Sequence, residues 1–222
     1  MATVTTAASK TKLVLTCHMD VVEAMSGQQE WTVTGERVTG TLDNLAGCAV
    51  VFSLLDELRQ ADAEVHFTQH EEIDLRDAYR IARRLKDDPN ALVLVVDTGN
   101  ARADEDVIVA NDYRFDGLGL ARRLRAEGLA VAYEALDLGN EDTEDESWAF
   151  AKSGVPCVSV YLPVIGDFHT PEAHTTTARI AKLRHAILRI VALIHDGTFG
   201  PESKYQQLAA HPPTPSTIGE PS

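Results

Sequence analysis

The chain has 222 residues, of which 44% are hydrophobic and 24% are charged, and its formal net charge is −14. A chain of this length is expected to form one globular domain that buries roughly 70% of the surface of the unfolded chain. The negative charge disfavours nucleic acid and anionic membrane surfaces as partners, because both would repel the protein, and it is compatible with a substrate that carries a free amine.

The first nine residues, Met1 to Ser9, are small and polar, so we do not expect a signal peptide. No stretch reaches the roughly 20 apolar residues of a transmembrane helix. Three cysteines, an odd number, lie in apolar segments: Cys17, Cys48 and Cys157. We interpret them as reduced, buried thiols of a cytoplasmic protein. Cys17 could instead bind a metal beside His18, but its side chain should face away from that of its neighbour.

The residue pattern predicts strands alternating with helices along the chain. The first half is predicted to contain a strand at 12–17, a hairpin at 30–39 with its turn at 34–35, a helix at 46–60, a strand from 65 and a helix at 75–86. The second half is predicted to contain strands at 91–96, 107–110, 129–136 and 155–162, and helices at 116–127, 147–152 and 177–194. This alternation predicts an α/β three-layer sandwich with a mainly parallel central sheet.

The domain organisation follows from the same pattern. Residues 1–200 are predicted to form a single domain, because they contain neither an internal repeat nor a low-complexity linker. Residues 201–222 include five prolines and few core-forming residues, so they are expected to be a tail that is mobile or draped on the surface.

Two adjacent carboxylates, Glu71 and Glu72, close the apolar run that begins at Val65. Adjacent acids at the end of a buried strand repel each other and are costly to desolvate, unless a cation or a proton lies between them. One member of the pair can therefore bind a metal ion while the other transfers a proton.

Other metal-binding side chains are placed in a similar way. His18 and Asp97 directly follow apolar runs. Asp43 precedes a predicted helix, and His169 lies in the loop after the predicted strand 155–162. In an open parallel sheet such positions converge on one crevice. Two imidazoles and three carboxylates suit zinc, cobalt or manganese, and five groups suffice for two ions if one carboxylate bridges them.

Each of these residues also has an ordinary explanation. His18 could be hydrogen-bonded to Asp20, Asp43 could be a helix N-cap, and Asp97 could be part of a turn. His174 is an alternative to His169. The acidic segment 141–146 is interpreted as a solvated loop, with a minority alternative in which Asp145 or Glu146 lines a substrate pocket.

The order of the motifs resembles that of the co-catalytic dizinc aminopeptidases of the bacterial leucine aminopeptidase type, which are related to the glutamyl and deblocking aminopeptidases. The resemblance covers about residues 13–194 and rests on His18-x-Asp20, Leu42-Asp43-Asn44, Glu71-Glu72, Val96-Asp97, Gly154-Val155-Pro156 and His169-Thr170-Pro171. It implies the zinc-dependent exopeptidase fold, which is of the phosphorylase/hydrolase-like type. The implied metal ligands are His18, Asp43 as the bridge, Glu72, Asp97 and His169.

The resemblance also implies a reaction. Two divalent ions are expected, zinc first and cobalt or manganese as alternatives, and the substrate is a peptide or a small amide. Glu71 is expected to be the general base that takes a proton from water and delivers it to the leaving amine. Asp20 is expected to orient the imidazole of His18.

The sequence departs from the family at several places. Asp43 follows His18 by only 25 positions, which leaves no room for an inserted lid or dimerisation domain, so a monomer or a small homo-oligomer is expected. Only 17 residues precede His18, so an edge strand or a helix is expected to be missing. Asn44 replaces a second acid, and Asp74 and Asp77 replace glycines and could change the charge of the pocket rim.

The sequence is compatible with two other functions. One is a dimetal amidohydrolase of the carboxypeptidase or deacylase type, and the other is a catalytically silent binding module on the same fold.

Overall fold

The computed structural model describes residues 10–26, 31–102, 104–139, 145–167 and 169–201. The strands are β1 Lys12–His18, β2 Trp31–Thr34, β3 Arg37–Gly40, β4 Glu64–Thr68, β5 Ala91–Asn100, β6 Val107–Tyr113, β7 Val131–Glu134, β8 Cys157–Val164 and β9 His174–Thr176. The α-helices are α1 Leu45–Phe52, α2 Leu55–Gln60, α3 Arg76–Leu85, α4 Gly117–Ala126, α5 Glu146–Lys152 and α6 Thr177–His195, and one 3₁₀ turn spans Glu23–Met25.

The central sheet has six strands in the order β4-β1-β5-β8-β6-β7. The first four strands run parallel to one another, β6 runs antiparallel to β8, and β7 is parallel to β6. The mainly parallel sheet predicted from the sequence is therefore confirmed. A second, antiparallel sheet has the order β2-β3-β9. Its strand β9 was not predicted, because three residues are too few to show a strand periodicity.

The core lies on both faces of the central sheet. Side chains of β1 alternate between the faces, with Leu13 and Leu15 in the cluster that includes α1, α4 and α6, and Val14 in the cluster that includes α3 and α5. Strands buried on both faces require continuous apolar runs, which is the pattern that predicted them. The three-layer sandwich is confirmed.

The helix predicted at 46–60 is two helices, so that prediction was wrong. The hydroxyl of Ser53 donates a hydrogen bond of 2.7 Å to the carbonyl of Val50, and the backbone of Leu54 leaves the helical region at φ −109° and ψ 3°. A serine side chain that binds the backbone within a helix competes with the helical hydrogen bonds.

Strand β5 is longer than predicted. It continues through Asp97 to Asn100, which pairs with Val164 of β8, so Asp97 lies inside a central strand and not in a turn.

Two predictions concern the chain as a whole. None of the helices in the described ranges is long and apolar enough to cross a membrane. The segment before residue 10 and the predicted tail 201–222, apart from residue 201, lie outside the described residues, so the division into one domain and a tail stays a prediction.

Candidate metal centre

The side chains predicted to bind metal converge at one end of the central sheet. They line a cavity of about 570 Å³ together with residues of β5, β6, β7 and β8. The lining includes every predicted ligand and the predicted base: His18, Asp43, Glu71, Glu72, Asp97 and His169. The carboxyl ends of parallel strands meet at one edge of a sheet, which explains why ligands that are distant in sequence become neighbours.

Short turns hold the ligands that lie outside the strands. His70 adopts a left-handed φ of 68°, and its carbonyl accepts hydrogen bonds from the amides of Asp74 and Leu75, at 3.1 and 2.8 Å, which closes the loop that carries the paired glutamates. Before the last ligand, the carboxylate of Asp167 accepts a hydrogen bond of 3.0 Å from the amide of His169. Such side-chain-to-backbone bonds are typical of Asp in turns.

Asp43 lies at the centre of the cluster. Its Oδ1 is 3.3 Å from Nε2 of His18, and its Oδ2 is 3.1 Å from Nε2 of His169. The hydroxyl of Thr98 donates a hydrogen bond of 2.9 Å to Oδ1. Each oxygen of this carboxylate therefore faces a different imidazole, which is the arrangement that a bridging ligand requires.

A second carboxylate completes each half of the site. Nε2 of His18 is 3.2 Å from Oδ1 of Asp97, and Nε2 of His169 is 3.6 Å from Oε2 of Glu72. Oε2 of Glu71 is 3.9 Å from Nε2 of His18, so it lies beside the first half. The ligand atoms of His18, Glu71 and Asp97 all lie within 4.8 Å of one another, and so do those of His18, Asp43 and Glu72.

Asp20 contacts His18 mainly through its backbone. Nδ1 of His18 is 3.1 Å from the carbonyl oxygen of Asp20 and 3.6 Å from Oδ1 of its carboxylate. A proton on Nδ1 directed at that carbonyl leaves Nε2 free to bind a metal. The carboxylate of Asp20 accepts hydrogen bonds of 3.3 Å from the amides of both Glu71 and Glu72. This second contact, which fixes the backbone of the paired glutamates, was not predicted.

The electrostatics of the cluster favour a bound cation. Burial, together with the neighbouring carboxylates, raises the pKa of Glu71 to about 10, that of Asp97 to about 8 and that of Glu72 to about 7. Burial opposes the charged form of His18, but Asp97 and other acids raise its pKa well above the ordinary value. Burial also acts to raise the pKa of Asp43, but hydrogen bonds from His169 and His18 lower that pKa below its usual range.

One oxygen of the cluster points directly to a missing partner. Oε1 of Glu72 is buried and has no hydrogen-bond partner among the described residues. A buried carboxylate oxygen without a partner is costly, and a divalent cation would satisfy it. The donor set of two imidazoles and several carboxylates is one that zinc, cobalt and manganese accept, so the residues fit a pair of such ions.

We expect the metal-free protein to lose stability as the pH rises from 6 to 9. The folded state binds more protons than the unfolded state in this range, because the pKa values of Glu72, Asp97 and Glu71 are raised by folding. For each extra proton that the folded state binds, the free energy of unfolding falls by about 1.4 kcal/mol for every unit by which the pH rises. Urea unfolding in the presence of a chelator at both pH values measures the change.

The same measurement with added zinc is the control. Ions bind the ionised carboxylates, so zinc should stabilise the protein more at pH 9 than at pH 6. A chelated protein that is equally stable or more stable at pH 9 would contradict the protonation of the cluster.

The structure distinguishes between the two candidate histidines. His169 lines the cavity, whereas His174 belongs to β9 and pairs with Thr39 of β3. Cys17 does not line the cavity, and its Sγ is 3.4 Å from Sγ of Cys48.

The residues that depart from the family pattern have structural roles outside the cavity. Asp74 is exposed and pairs with Arg76 at 2.7 Å, and Asp77 pairs with Arg80 at 2.6 Å. Neither of them lines the cavity. Asn44 is fully buried, and its Nδ2 donates a hydrogen bond of 2.7 Å to the carbonyl of Val96 in β5. The amide therefore ties the segment that carries Asp43 to the strand that carries Asp97.

A polar network that was only partly predicted forms another wall of the cavity. Asp145 lines it and accepts hydrogen bonds from the hydroxyls of Ser159 and Tyr161, at 2.6 and 2.8 Å. Nδ2 of Asn111 donates a bond of 2.6 Å to the oxygen of Tyr161. The minority alternative thus holds for Asp145, whereas Glu146 is buried and does not line the cavity. The acidic residues Glu141, Asp142 and Glu144 lie outside the described residues.

Sequence reasoning missed Tyr161 and Asn111. Tyr161 lies inside the predicted strand 155–162, where a tyrosine is an ordinary core residue, whereas Asn111 directly follows the predicted strand 107–110, which is the pattern that selected His18. Asn111 gives one weak signal in the structure, a left-handed φ of 49°, which asparagine tolerates better than most residues.

Solved structures of aminopeptidases share this fold. An aminopeptidase from the archaeon Desulfurococcus kamchatkensis superposes with a TM-score of 0.59 at 16% identity, over 76% of this chain and 52% of that one. The aminopeptidase PepT from Bacillus cereus gives a TM-score of 0.61 at 12% identity, over 85% of this chain and 82% of that one. An aminopeptidase from Aneurinibacillus sp. strain AM-1 gives a TM-score of 0.53 at 19% identity, over 87% of this chain and 45% of that one.

These likenesses, at low identity, show the fold. The chain spans about half the length of the archaeal structure and of the one from Aneurinibacillus. A comparison with curated proteins gave no match.

The family assignment comes from the sequence itself. The family model described as peptidase family M28 matches residues 1–194, which is most of the chain. That range contains every residue of the cluster described above. The chain belongs to peptidase family M28.

Proposed function

We propose that the protein is a metal-dependent exopeptidase, an aminopeptidase that removes N-terminal residues from peptides. The observation that carries this proposal is the carboxylate of Asp43, whose two oxygens lie 3.3 and 3.1 Å from two different histidines. Each histidine has a further carboxylate beside it, so the cluster divides into two half-sites with one shared ligand. Membership of peptidase family M28 supports the same reaction class.

The two half-sites support the following set of ligands. His18, Asp97 and one oxygen of Asp43 would hold one divalent ion, and His169, Glu72 and the other oxygen of Asp43 would hold the second. When bound, the ions supply positive charge that acidifies water and stabilises negative charge on the carbonyl oxygen of the scissile bond. Zinc is the proposed metal, with cobalt or manganese as alternatives.

Glu71 is the proposed general base. Its carboxylate is buried beside His18, and its pKa of about 10 reflects burial and the surrounding acids in the absence of a cation. Positive charge nearby lowers that pKa, so the carboxylate can accept a proton from the attacking water and return it to the leaving amine. Asp20 holds the backbone amides of the paired glutamates and thereby positions Glu71 for the transfer.

The cavity suits a substrate with a free amine. Beyond the metal ligands and Glu71, the described lining carries three further acids, Glu134, Asp137 and Asp145, and one arginine, Arg102, which pairs with Glu134 at 3.0 Å. A predominantly acidic lining attracts an ammonium group and disfavours a free carboxylate. This supports cleavage at the N-terminus over cleavage at the C-terminus of a peptide.

A peptide panel combined with metal analysis tests the proposal. The protein is expected to contain two divalent ions per chain and to cleave peptides with a free N-terminal amine, including those blocked at the C-terminus. N-acetylated versions of the same peptides should react at least 100-fold more slowly. Preference for N-acylated or C-terminally free substrates would instead identify a deacylase or carboxypeptidase, and metal binding without turnover of any substrate would identify a silent module.

The proposal extends to the assembly and the location of the protein. The solved structure of PhTET1-12s contains a dodecamer in the asymmetric unit, and this chain covers 53% of the length of that protein. We infer a monomer or a small homo-oligomer for this protein, because the 25 positions between His18 and Asp43 leave no room for an inserted assembly domain. A cytoplasmic location is proposed from the three unpaired cysteines.

A further inference from the structure

Two cysteine thiols are in contact directly behind the metal centre. Sγ of Cys17 lies 3.4 Å from Sγ of Cys48, and both cysteines are free. Cys17 precedes His18 in β1, and Cys48 lies in α1, which begins just after Asp43. The pair therefore connects the strand that carries one metal ligand to the helix that follows another.

The two sulfurs lie close to bonding distance. The sulfur–sulfur distance in a disulfide is about 2.05 Å, so a small approach of the two sulfurs suffices. Cys17 is buried, whereas Cys48 is only partly buried. The third cysteine, Cys157, belongs to the core cluster on the opposite face of the sheet, and its Sγ contacts the carbonyl of Ser147 at 3.6 Å.

Each sulfur also contacts a residue at or beside a proposed ligand. Sγ of Cys48 donates a hydrogen bond of 3.0 Å to the carbonyl of His18. Nδ2 of Asn44, the residue after Asp43, donates one of 3.3 Å to Sγ of Cys17. A bond between the sulfurs would remove the thiol donor to His18 and would draw the end of β1 toward α1. Both changes alter the relative positions of His18 and Asp43.

We propose that Cys17 and Cys48 form an oxidative modification site, in which a peroxide converts the thiol pair into a disulfide that weakens metal binding at the adjacent centre. In the first step the sulfur of Cys48 gives an electron pair to the peroxide, the O–O bond breaks, and a sulfenic acid and one molecule of water form. In the second step the sulfur of Cys17 attacks that of Cys48, and the hydroxyl leaves as water with the proton of the Cys17 thiol. Overall, two thiols are oxidised and one molecule of hydrogen peroxide is reduced to two molecules of water.

The formation of the disulfide is independent of the proposed peptidase activity, whereas its effect on the centre rests on the proposed metal ligands. The size of the effect follows from the role of groups that orient metal ligands, whose loss costs about 10–100-fold in metal affinity. We therefore expect oxidation to weaken zinc binding by about 10-fold or more and dithiothreitol to restore it.

The test treats the full chain with hydrogen peroxide and follows two readouts. Peptide mapping without reduction should show a cross-link between the peptides that contain Cys17 and Cys48, with a loss of two hydrogen masses. Competition with a chromophoric chelator should show the reversible decrease in zinc affinity. The variant Cys157→Ser is the matched control and should behave as the wild type in both readouts. Cys48→Ser should show neither the cross-link nor a reversible change in zinc affinity.

Several results would overturn the proposal. One is a cross-link that does not form, and another is a cross-link that forms while zinc affinity is unchanged. A third is a Cys48→Ser variant that loses zinc affinity on oxidation as the wild type does. Failure of the proposed function would give a different result. In that case the zinc affinity would still fall on oxidation and recover on reduction, but the protein would cleave no peptide. The modification site would then be retained and the aminopeptidase assignment rejected.

Discussion

Replacing Glu71 by glutamine is expected to lower kcat by about 10²–10⁴-fold, which is the usual contribution of a general base. Glutamine has nearly the same shape as glutamate but cannot accept the proton of the attacking water. The metal content should remain that of the wild type, because the ligands assigned to the two half-sites do not include Glu71. Steady-state kinetics and metal analysis on the same preparation measure both quantities.

This variant also decides between two roles that the geometry allows. The ligand atoms of Glu71 lie within 4.8 Å of those of His18 and Asp97, so Glu71 could itself bind an ion. Loss of one ion per chain in Glu71→Gln would assign it as a ligand, and activity close to that of the wild type would exclude it as the base. Glu127→Gln, the same chemical change at a surface residue paired with Arg123 and Arg189, is the control and should retain both metal and activity.

Replacing Asp43 by alanine is expected to remove metal and activity together. Its two oxygens lie 3.3 and 3.1 Å from Nε2 of His18 and Nε2 of His169, so both half-sites share this carboxylate. Each half-site is left with one imidazole and one carboxylate, which is fewer than the three protein ligands that a catalytic zinc ion normally has. We expect at least a 10³-fold loss of turnover and less than one ion per chain by elemental analysis after dialysis.

The matched control is Asp74→Ala, the same substitution in an acid that pairs with Arg76 on the surface. It should leave metal content and turnover within a few-fold of the wild type, which would also show that this departure from the family pattern does not affect the centre. Far-UV circular dichroism of both variants checks that they are folded. A folded Asp43→Ala protein with its full metal content would refute the bridging role.

The location of the centre could be predicted from the sequence because the ligands follow long apolar runs. His18 follows residues 12–17, which form a strand buried on both faces. The paired glutamates follow the run from Val65, which forms the partly buried edge strand β4. Because the strands are parallel, their ends meet at the same edge of the sheet, and this does not depend on the conformations of the loops. The choice of His169 over His174 depended only on the residues around it, and the structure places His169 alone of the two in the lining of the cavity.

Other features could not be predicted, because they depend on contacts between distant segments or on single side-chain rotamers. The division between α1 and α2 depends on the hydroxyl of Ser53 and its bond to the carbonyl of Val50. The carboxylate of Asp20 contacts the amides of Glu71 and Glu72, which lie 51 and 52 positions further along the chain in another loop. The network of Asp145, Tyr161 and Asn111 depends on the register between β6 and β8, which no local pattern determines.

The position of Asp97 inside β5 has a consequence for how the protein would acquire its metal. Strand β1 pairs with β5 as far as Val95, and on the other side the pairing with β8 continues past Asp97 to Asn100. A ligand held in this way is in place before any ion arrives, unlike the ligands of a zinc finger, which are ordered only by the metal. Removal of the ions should therefore leave the far-UV circular dichroism spectrum unchanged. The apoprotein should accept zinc, cobalt or manganese without refolding, so the ion that it carries in the cell is set by metal supply as well as by the polypeptide.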